Sequence, residues 1–281
     1  MKILFYGNCQ IEAICQILKL NPKKYETCII KCYQDNVTQE AFTDRLKTTD
    51  IVITQSIKDD YRGKEYLSTN YILRNCNPGC KVIILPSYRF TLYHFDVFYN
   101  DKIKGPCDNH YTNMIECYKK GKSVDYYLEN YVNNPHFKSK EELEKILEDN
   151  LNDADNKYND SQKYKLLNAN LITLPPISNF IRENYKNSLL FHTIKHPTKV
   201  LFHHVCHEIL NVLHIENTMD YWSDPLSGVI RNIMYKCVEQ VINFKQSVPL
   251  IDFNNVFHHD TKSVTQFYYN GYKQLDQSCF D

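Results

Sequence analysis

The chain begins with a short apolar run, a turn and then a helical pattern, and this order constrains the fold more than any other feature. Residues 2–6 (KILFY) are typical of a buried first strand. Gly7 permits a sharp turn, and apolar side chains at helical spacing follow in residues 11–18. Cys9 therefore lies where a strand leads into a helix, and there free backbone N–H groups and the helix dipole stabilise a thiolate or an oxyanion. A phosphate-binding turn with an inert, buried cysteine fits the spacing equally well.

Strand and helix patterns alternate over the first 90 or so residues, which predicts right-handed β-α-β units and a parallel sheet. In such sheets, ligands bind at the carboxyl ends of the strands. Segments 7–10, 55–61 and 86–96 each follow a strand candidate, so we expect them to converge. The strand candidates are residues 2–6, 29–30, 50–54 and 81–85.

The remainder of the chain is more polar and more helical. Residues from about 108 to 168 are interpreted as a polar helical insertion in a single α/β domain of residues 1–281. A helix is predicted to begin at His196-Pro197-Thr198, because proline is tolerated in the first helical turn. Beyond it, the pattern predicts a helix over 226–241 and an edge strand at 248–251.

Composition excludes several classes of function. Lys and Arg total 33 and Asp and Glu total 33, so the formal net charge is +0. Nucleic acid is therefore not expected as the main partner, because phosphate binding requires a basic excess. No run approaches the roughly 20 apolar residues of a membrane helix. The 11 cysteines are odd in number and scattered, which favours free thiols in a reducing compartment, and we expect a cytoplasmic protein.

Two groups of residues suggest a metal site, and we expect neither to be one. His203 and His207 share a helix face, as zinc ligands do, but His204 stands where the HExxH motif has glutamate. Cys76 and Cys80 resemble half of a zinc knuckle, but no second pair follows at suitable spacing. Glycine-rich phosphate-binding motifs are also absent from the sequence.

A nucleophilic Cys9 needs a base, and His196, held at a helix start by Pro197, is the best candidate. GNCQ after the first strand and HPT late in the chain resemble two blocks of the SGNH, or GDSL, hydrolase fold. In that fold the nucleophile follows the first strand and the base belongs to an Asp-x-x-His-Pro motif. Here Thr193 stands at the position of the aspartate, so the orienting carboxylate is missing. A thiol tolerates this loss better than a serine hydroxyl because it ionises more readily.

Further segments extend the resemblance to a second family. Together with GNCQ, they resemble the WcbI family of polysaccharide-biosynthesis proteins, acetyltransferases on an SGNH-like fold. This resemblance implies a three-layer α/β sandwich with a central parallel sheet and helical insertions. It also implies a CoA-dependent acyltransferase, with acetyl-CoA as donor, that modifies a sugar or polysaccharide. The segments are QSIKDDYR at 55–62, LPSYRF at 85–90 with Asp96, and ISNFIREN at 177–184 leading to His196.

Within this interpretation, Cys9 is the predicted nucleophile and His196 the general base. The backbone N–H groups of Cys9 and Gln10 are predicted to form part of an oxyanion hole, with the amide of Asn8 or Gln55 as an added donor. Arginine and lysine near the strand ends would hold the phosphates of coenzyme A, and tyrosines could stack on adenine or a sugar ring. The predicted cofactor-binding residues are Gly7, Lys58, Tyr61, Arg62, Tyr88 and Arg89.

Two other functions remain open at this point. The same site with water as acceptor would be a carbohydrate esterase or deacetylase, which releases acetate without coenzyme A. A non-catalytic module that binds CoA or a glycan is favoured by the missing aspartate at position 193. The residues also leave open whether the acyl group passes through a thioester on Cys9 or moves directly to the sugar, and they do not identify the acceptor or the oligomeric state.

Overall fold

The chain folds into two units, each with its own set of internal contacts. The computed structural model describes residues 1–100, 103, 109–168, 170–216, 218–228, 232–244, 250–251, 257–258 and 260–275. The predicted insertion at about 108–168 is divided between the units, and the single-domain interpretation stays a prediction. The first unit comprises residues 1–88, 152–182 and 197–226, and the second comprises residues 89–151, 183–196 and 227–281.

A parallel sheet of 5 strands in the order β2-β1-β3-β4-β7 organises the first unit. The α/β class and the central parallel sheet are as predicted. Pairs β5–β6 and β10–β11 are antiparallel, and β8 pairs with β9. The strands are β1 (Lys2–Gly7), β2 (Glu26–Lys31), β3 (Ile51–Gln55), β4 (Lys81–Leu85), β5 (Val97–Tyr99), β6 (Asn109–Tyr111), β7 (Leu171–Ile172), β8 (Phe191–Thr193), β9 (His196–Pro197), β10 (Leu250–Ile251) and β11 (Phe257–His258).

Helices follow most of the strands of the first unit and also build much of the second. Short 3-10 turns lie at Tyr61–Gly63, Glu65–Leu67, Leu92–His94, Lys163–Leu166 and Lys236–Gln240, and a π-helical turn lies at Leu128–Val132. The α-helices are α1 (Cys9–Ile17), α2 (Gln39–Lys47), α3 (Thr69–Asn75), α4 (Thr112–Lys119), α5 (Val124–Tyr127), α6 (Lys140–Gln162), α7 (Ile177–Asn184), α8 (Lys199–Leu213) and α9 (Thr261–Tyr272).

In the sheet of the first unit, strands lie on both sides of β1, and helices pack on the sheet. Strands β3 and β4 are buried along almost their whole length because helices cover the sheet. Leu4 and Tyr6 belong to a core cluster with Phe42 of α2 and Ile72 of α3. Strand β2 lies on one side of β1 and strand β3 lies on the other. Right-handed crossovers therefore place α1 on the face of the sheet opposite to α2 and α3. The carboxyl ends of β1 and β3 therefore form a topological switch point, where such sheets bind ligands.

A buried carboxylate without a cationic partner among the described residues is central to the second unit. Asp96 is 6% exposed and accepts hydrogen bonds from the backbone N–H and the side-chain amide of Asn113. It also accepts one from the hydroxyl of Tyr235, which in turn lies 2.6 Å from the hydroxyl of Tyr127. Burial is the main cause that raises the pKa of Asp96 to about 6, although these donors act in the opposite direction.

The prediction of a helix over 226–241 is wrong for the described part of that segment. Only Lys236–Gln240 is helical there, as a 3-10 turn, and residues 229–231 lie outside the described residues. The backbone N–H of Asn232 donates to the carbonyl of His192, and that of Ile233 donates to the hydroxyl of Tyr111. These tertiary bonds replace the i to i−4 bonds of a helix. In the predicted edge strand, Leu250–Ile251 forms β10, and residues 248–249 lie outside the described residues.

Among the described residues, no helix combines the length and the apolar character needed to cross a membrane.

Candidate functional site

The turn after β1 is closely packed around Gly7. A methyl group at Gly7 would lie 2.6 Å from Cγ1 of Ile11 and 2.9 Å from Oε1 of Gln55. Both distances are shorter than carbon atoms tolerate, and Gln55 Oε1 is already fixed because it accepts a hydrogen bond from the backbone N–H of Asn8 at 2.9 Å. Only glycine therefore lets β3 approach the turn that carries Cys9.

We expect Gly7→Ala to lower the free energy of unfolding by about 1–3 kcal/mol, because the buried Ile11 and Gln55 must both move. Gly79→Ala is the matched control, since the nearest atom to its added methyl group is Asn77 Oδ1 at 4.0 Å. Urea unfolding of both variants measures the effect. Equal, small changes in the two proteins would contradict the close packing at Gly7.

Glutamine amides join the carboxyl ends of β1, β3 and β4. Gln10 donates its Nε2 to the carbonyl of Tyr88 at 2.9 Å and accepts the backbone N–H of Tyr88 at 3.0 Å. Gln55 donates its Nε2 to Gln10 Oε1 at 3.2 Å. The predicted convergence of the segments after these strands is thus confirmed at these residues. The two side chains fasten the strand ends to each other, which is a structural task.

Cys9 is half-buried at the first position of α1. Burial raises the pKa of its thiol, and the charge of Glu12 adds to this effect. The backbone N–H groups of Cys9 and Gln10 lower the pKa, as expected at a helix start, but burial is the larger cause. The thiol is therefore protonated at neutral pH, and it needs a base if it is to act as a nucleophile.

The predicted oxyanion-hole donors are not equally available. The backbone N–H of Gln10 donates to Asn8 Oδ1 at 2.8 Å, which caps helix α1. The amide of Gln55 is engaged with Asn8 and Gln10, as described above. In the part of the chain that the structure describes, Asn8 Nδ2 has no hydrogen-bond partner, and Asn8 is half-buried. Asn8 Nδ2 is therefore a free donor beside Cys9 among the described residues.

Of the predicted phosphate-binding residues, Arg62 and Lys58 already have acidic or carbonyl partners in the first unit. The Arg62 guanidinium donates to the carbonyl of Tyr33 and to Oδ1 of Asp35, both at 2.6 Å. Lys58 Nζ lies 3.2 Å from the carboxylate of Asp60, and both side chains are exposed. A phosphate would have to compete with these carboxylates for either cation.

The predicted stacking residues differ in accessibility. Tyr61 is half-buried, and its hydroxyl accepts a weak hydrogen bond from the thiol of Cys32 at 3.7 Å. Tyr88 is only 5% exposed and lines a cavity of about 30 Å³, which has room for about one water molecule. The Tyr88 ring thus offers no open face to an adenine base, and its role is packing.

In the second unit, His196 contacts the residue that replaces the expected aspartate. Oγ1 of Thr193 lies 2.7 Å from Nδ1 of His196. Burial, followed by the charges of His192 and Lys195, lowers the pKa of His196 to about 4. The imidazole is therefore neutral at pH 7 and able to accept a proton.

Arg89 and Lys195 bring positive charge to this part of the second unit. The backbone N–H of Phe90 donates to the carbonyl of Ile194 at 3.0 Å, which aligns the two segments. Burial and the charge of the exposed Arg89 lower the pKa of Lys195, whose Nζ lies 4.7 Å from the ring centroid of Tyr99. Sequence reasoning missed Lys195, although its position directly before His196 was a usable signal.

The histidines of α8 contact an aromatic ring. The rings of His203 and His207 lie 5.4 Å and 6.1 Å from that of Tyr221. Within the described ranges, no group of three or more His, Cys, Asp or Glu side chains is placed to hold a metal ion.

The chain is similar to known proteins both in structure and in sequence pattern. A solved structure described as WcbI, a novel polysaccharide biosynthesis enzyme, matches 99% of this chain and 91% of its own, with a TM-score of 0.75 and 16% identity. That description adds that the protein is native and lacks a disulfide bond between coenzyme A and one of its cysteines. Comparison with the curated proteins finds no match. The family model of the polysaccharide biosynthesis enzyme WcbI matches residues 2–218. This chain therefore belongs to the WcbI family of polysaccharide biosynthesis enzymes.

Proposed function

We propose that this chain transfers an acyl group, with acetyl-CoA as donor, to a hydroxyl of a sugar or polysaccharide. The observation that carries the proposal is the half-buried Cys9 thiol at the start of α1, beside the free amide of Asn8 and at the switch point of the sheet. These groups suit a thioester substrate. Its carbonyl oxygen gains negative charge during transfer, and the amide donor and the helix start stabilise that charge. Membership of a polysaccharide-biosynthesis family supports a carbohydrate acceptor.

Coenzyme A is the donor in this proposal. The similar solved structure is described in terms of CoA and a cysteine, and we infer the same pairing here with Cys9. Lys58 and Arg62 must give up their carboxylate partners to bind phosphate. The exposed Arg89 has no ion-pair partner among the described residues, so it is the most available of the predicted phosphate ligands.

Two routes satisfy the chemistry. In the first, the Cys9 sulfur loses its proton to a base and attacks the thioester carbonyl, and coenzyme A leaves as a thiol with that proton. The sugar hydroxyl then loses its proton to the same base and takes the acyl group, and the released Cys9 sulfur regains the proton. In the second, the sugar hydroxyl loses its proton to a base and attacks the carbonyl of acetyl-CoA directly; the thioester bond breaks, and coenzyme A leaves as a thiol with that proton. We propose His196 as the base in either route, since its low pKa keeps it neutral at pH 7.

The proposal also covers the type of fold and the cellular location. We propose the three-layer, SGNH-hydrolase-like arrangement for this α/β fold. We further propose the cytoplasm as the location, since the cysteines within the described ranges are free thiols.

Calorimetric titration with coenzyme A and with acetyl-CoA is the first test. We expect saturable binding of both ligands in the micromolar range, and weaker binding by an Arg89→Ala variant because a phosphate contact is lost. Lys119→Ala, which removes a different exposed cation of the second unit, is the control. If neither ligand binds, the acyltransferase proposal fails.

Turnover on a panel of monosaccharides and nucleotide-linked sugars, followed by mass spectrometry, separates the remaining functions. Acetyl-CoA-dependent gain of an acetyl group on a sugar is the expected result. Acetate release from acetylated sugars without CoA would replace the proposal with an esterase. Binding of CoA with no turnover on any acceptor would replace it with a binding module.

A further inference from the structure

Thr193 lies at the carboxyl end of strand β8 and is 1% exposed. Its hydroxyl oxygen is 2.7 Å from Nδ1 of His196, which is the distance of a strong hydrogen bond. The backbone N–H of Lys195 donates to the same oxygen at 3.3 Å. The hydroxyl is thus fixed in position by the backbone of the turn that leads to His196.

We propose that Thr193 is the positioning residue for His196, and that its hydroxyl replaces the carboxylate of the Asp-x-x-His-Pro arrangement. The inference rests on the proposed function, in which His196 accepts a proton. Thr193 acts through the imidazole and not on the substrate. Its hydrogen bond to Nδ1 fixes the ring plane and so directs Nε2, the other ring nitrogen.

A hydroxyl differs from a carboxylate in the tautomers that it allows. A carboxylate only accepts, so it forces the proton onto Nδ1. The Thr193 hydroxyl either accepts from Nδ1–H or donates to bare Nδ1, and both tautomers of His196 are therefore satisfied. With the proton on Nδ1, Nε2 is a base, and with the proton on Nε2, His196 is a hydrogen-bond donor.

A hydroxyl also brings no negative charge to support an imidazolium. The charged or titratable groups that act on His196 are His192 and Lys195, and both disfavour its protonated form. Burial acts in the same direction and is the largest cause of its low pKa. His196 therefore stays neutral throughout the physiological range, ready to take a proton without first losing one.

Nuclear magnetic resonance of the histidine side-chain nitrogens in the full chain tests this inference directly, with His196 assigned by a His196→Gln variant. We expect Thr193→Ser to keep the wild-type tautomer balance and titration midpoint. Thr193→Val, which keeps the shape and removes the hydroxyl, should shift the Nδ1 signal. Thr193→Asp should fix the proton on Nδ1 and raise the midpoint by about one pH unit or more, because an adjacent negative charge favours the imidazolium.

Kinetics of acyl transfer give the second readout. We expect Thr193→Val to lower kcat about 10- to 100-fold with little change in KM for acetyl-CoA, and Thr193→Ser to restore most of the rate. Thr193→Asp should move the acidic limb of the pH–rate profile to higher pH, in step with the midpoint measured for His196.

The two readouts separate failure of the inference from failure of the proposed function. An unchanged His196 spectrum in Thr193→Val overturns the positioning role, and so does a changed spectrum with an unchanged kcat. If the spectra change as expected but no protein, wild type included, transfers an acyl group, the proposed function fails while the assigned contact is supported.

Discussion

Replacement of Cys9 by alanine is expected to reduce acyl transfer by a factor of about 100 or more, because the proposed thioester route loses its nucleophile. Binding of coenzyme A should persist, since no phosphate contact is removed. The comparison of kcat/KM for transfer with the calorimetric Kd for CoA therefore distinguishes a chemical role of Cys9 from a binding role.

The control for this experiment is Cys15→Ser. Cys15 is half-buried on the same helix, and burial raises the pKa of its thiol to about 11. We expect this variant to keep near wild-type activity, and Cys9→Ser to fall between wild type and Cys9→Ala. A Cys9→Ala protein with substantial activity would exclude the thioester route and leave direct transfer.

Asp96→Asn is expected to change the pH dependence of stability more than any other single replacement of a carboxylate in the described part of the second unit. The pKa of Asp96 rises from its usual 3.8 to about 6 in the folded chain. The folded state therefore binds a proton more readily than the unfolded state, so this group stabilises the fold below about pH 4 and the effect is lost as the pH rises through 6. Two pH units correspond to about 3 kcal/mol.

The measurement is the free energy of urea unfolding at pH 4.5 and 7.5. Relative to wild type, Asp96→Asn should gain stability at the higher pH, because the ionised carboxylate is no longer buried. The chain of hydroxyls can adapt, since either Tyr127 or Tyr235 can donate in their mutual hydrogen bond. Asp149→Asn, at an exposed site of the same unit, is the control. Parallel pH curves for all three proteins would show that Asp96 is not the responsible group.

Much of the first unit could be predicted because its strands are buried runs. Residues 51–53 and 82–85 are apolar throughout, and such short apolar runs between polar or turn residues indicate the buried strands β3 and β4. Strand β7 has two residues, too few for any period, and its place in the sheet depends on pairing with β4. The 226–241 segment has a helical pattern that tertiary hydrogen bonds override.

The sequence predicts where the residues of the candidate site lie along the chain, but not which residues they contact. The strand-to-helix turn identifies Cys9 and Asn8 without a structure. Nothing local in the sequence shows that Gln10 bonds to both polar groups of the Tyr88 backbone, 78 residues away. The sequence pattern around Gln10 is the same whether its side chain faces solvent or contacts the end of a strand. For Thr193 the sequence shows only a missing carboxylate, and the hydroxyl contact with His196 emerges from the fold.

The protonated state of the half-buried Cys9 thiol has a consequence for the protein when no substrate is bound. Peroxides and other electrophiles react with thiolates and hardly at all with thiols. A cysteine kept neutral by burial is therefore shielded from irreversible oxidation while the enzyme is idle. Its reactivity is restricted to the moments when a base removes the proton. Chemical durability at rest is thus compatible with the nucleophilic role that we propose for Cys9.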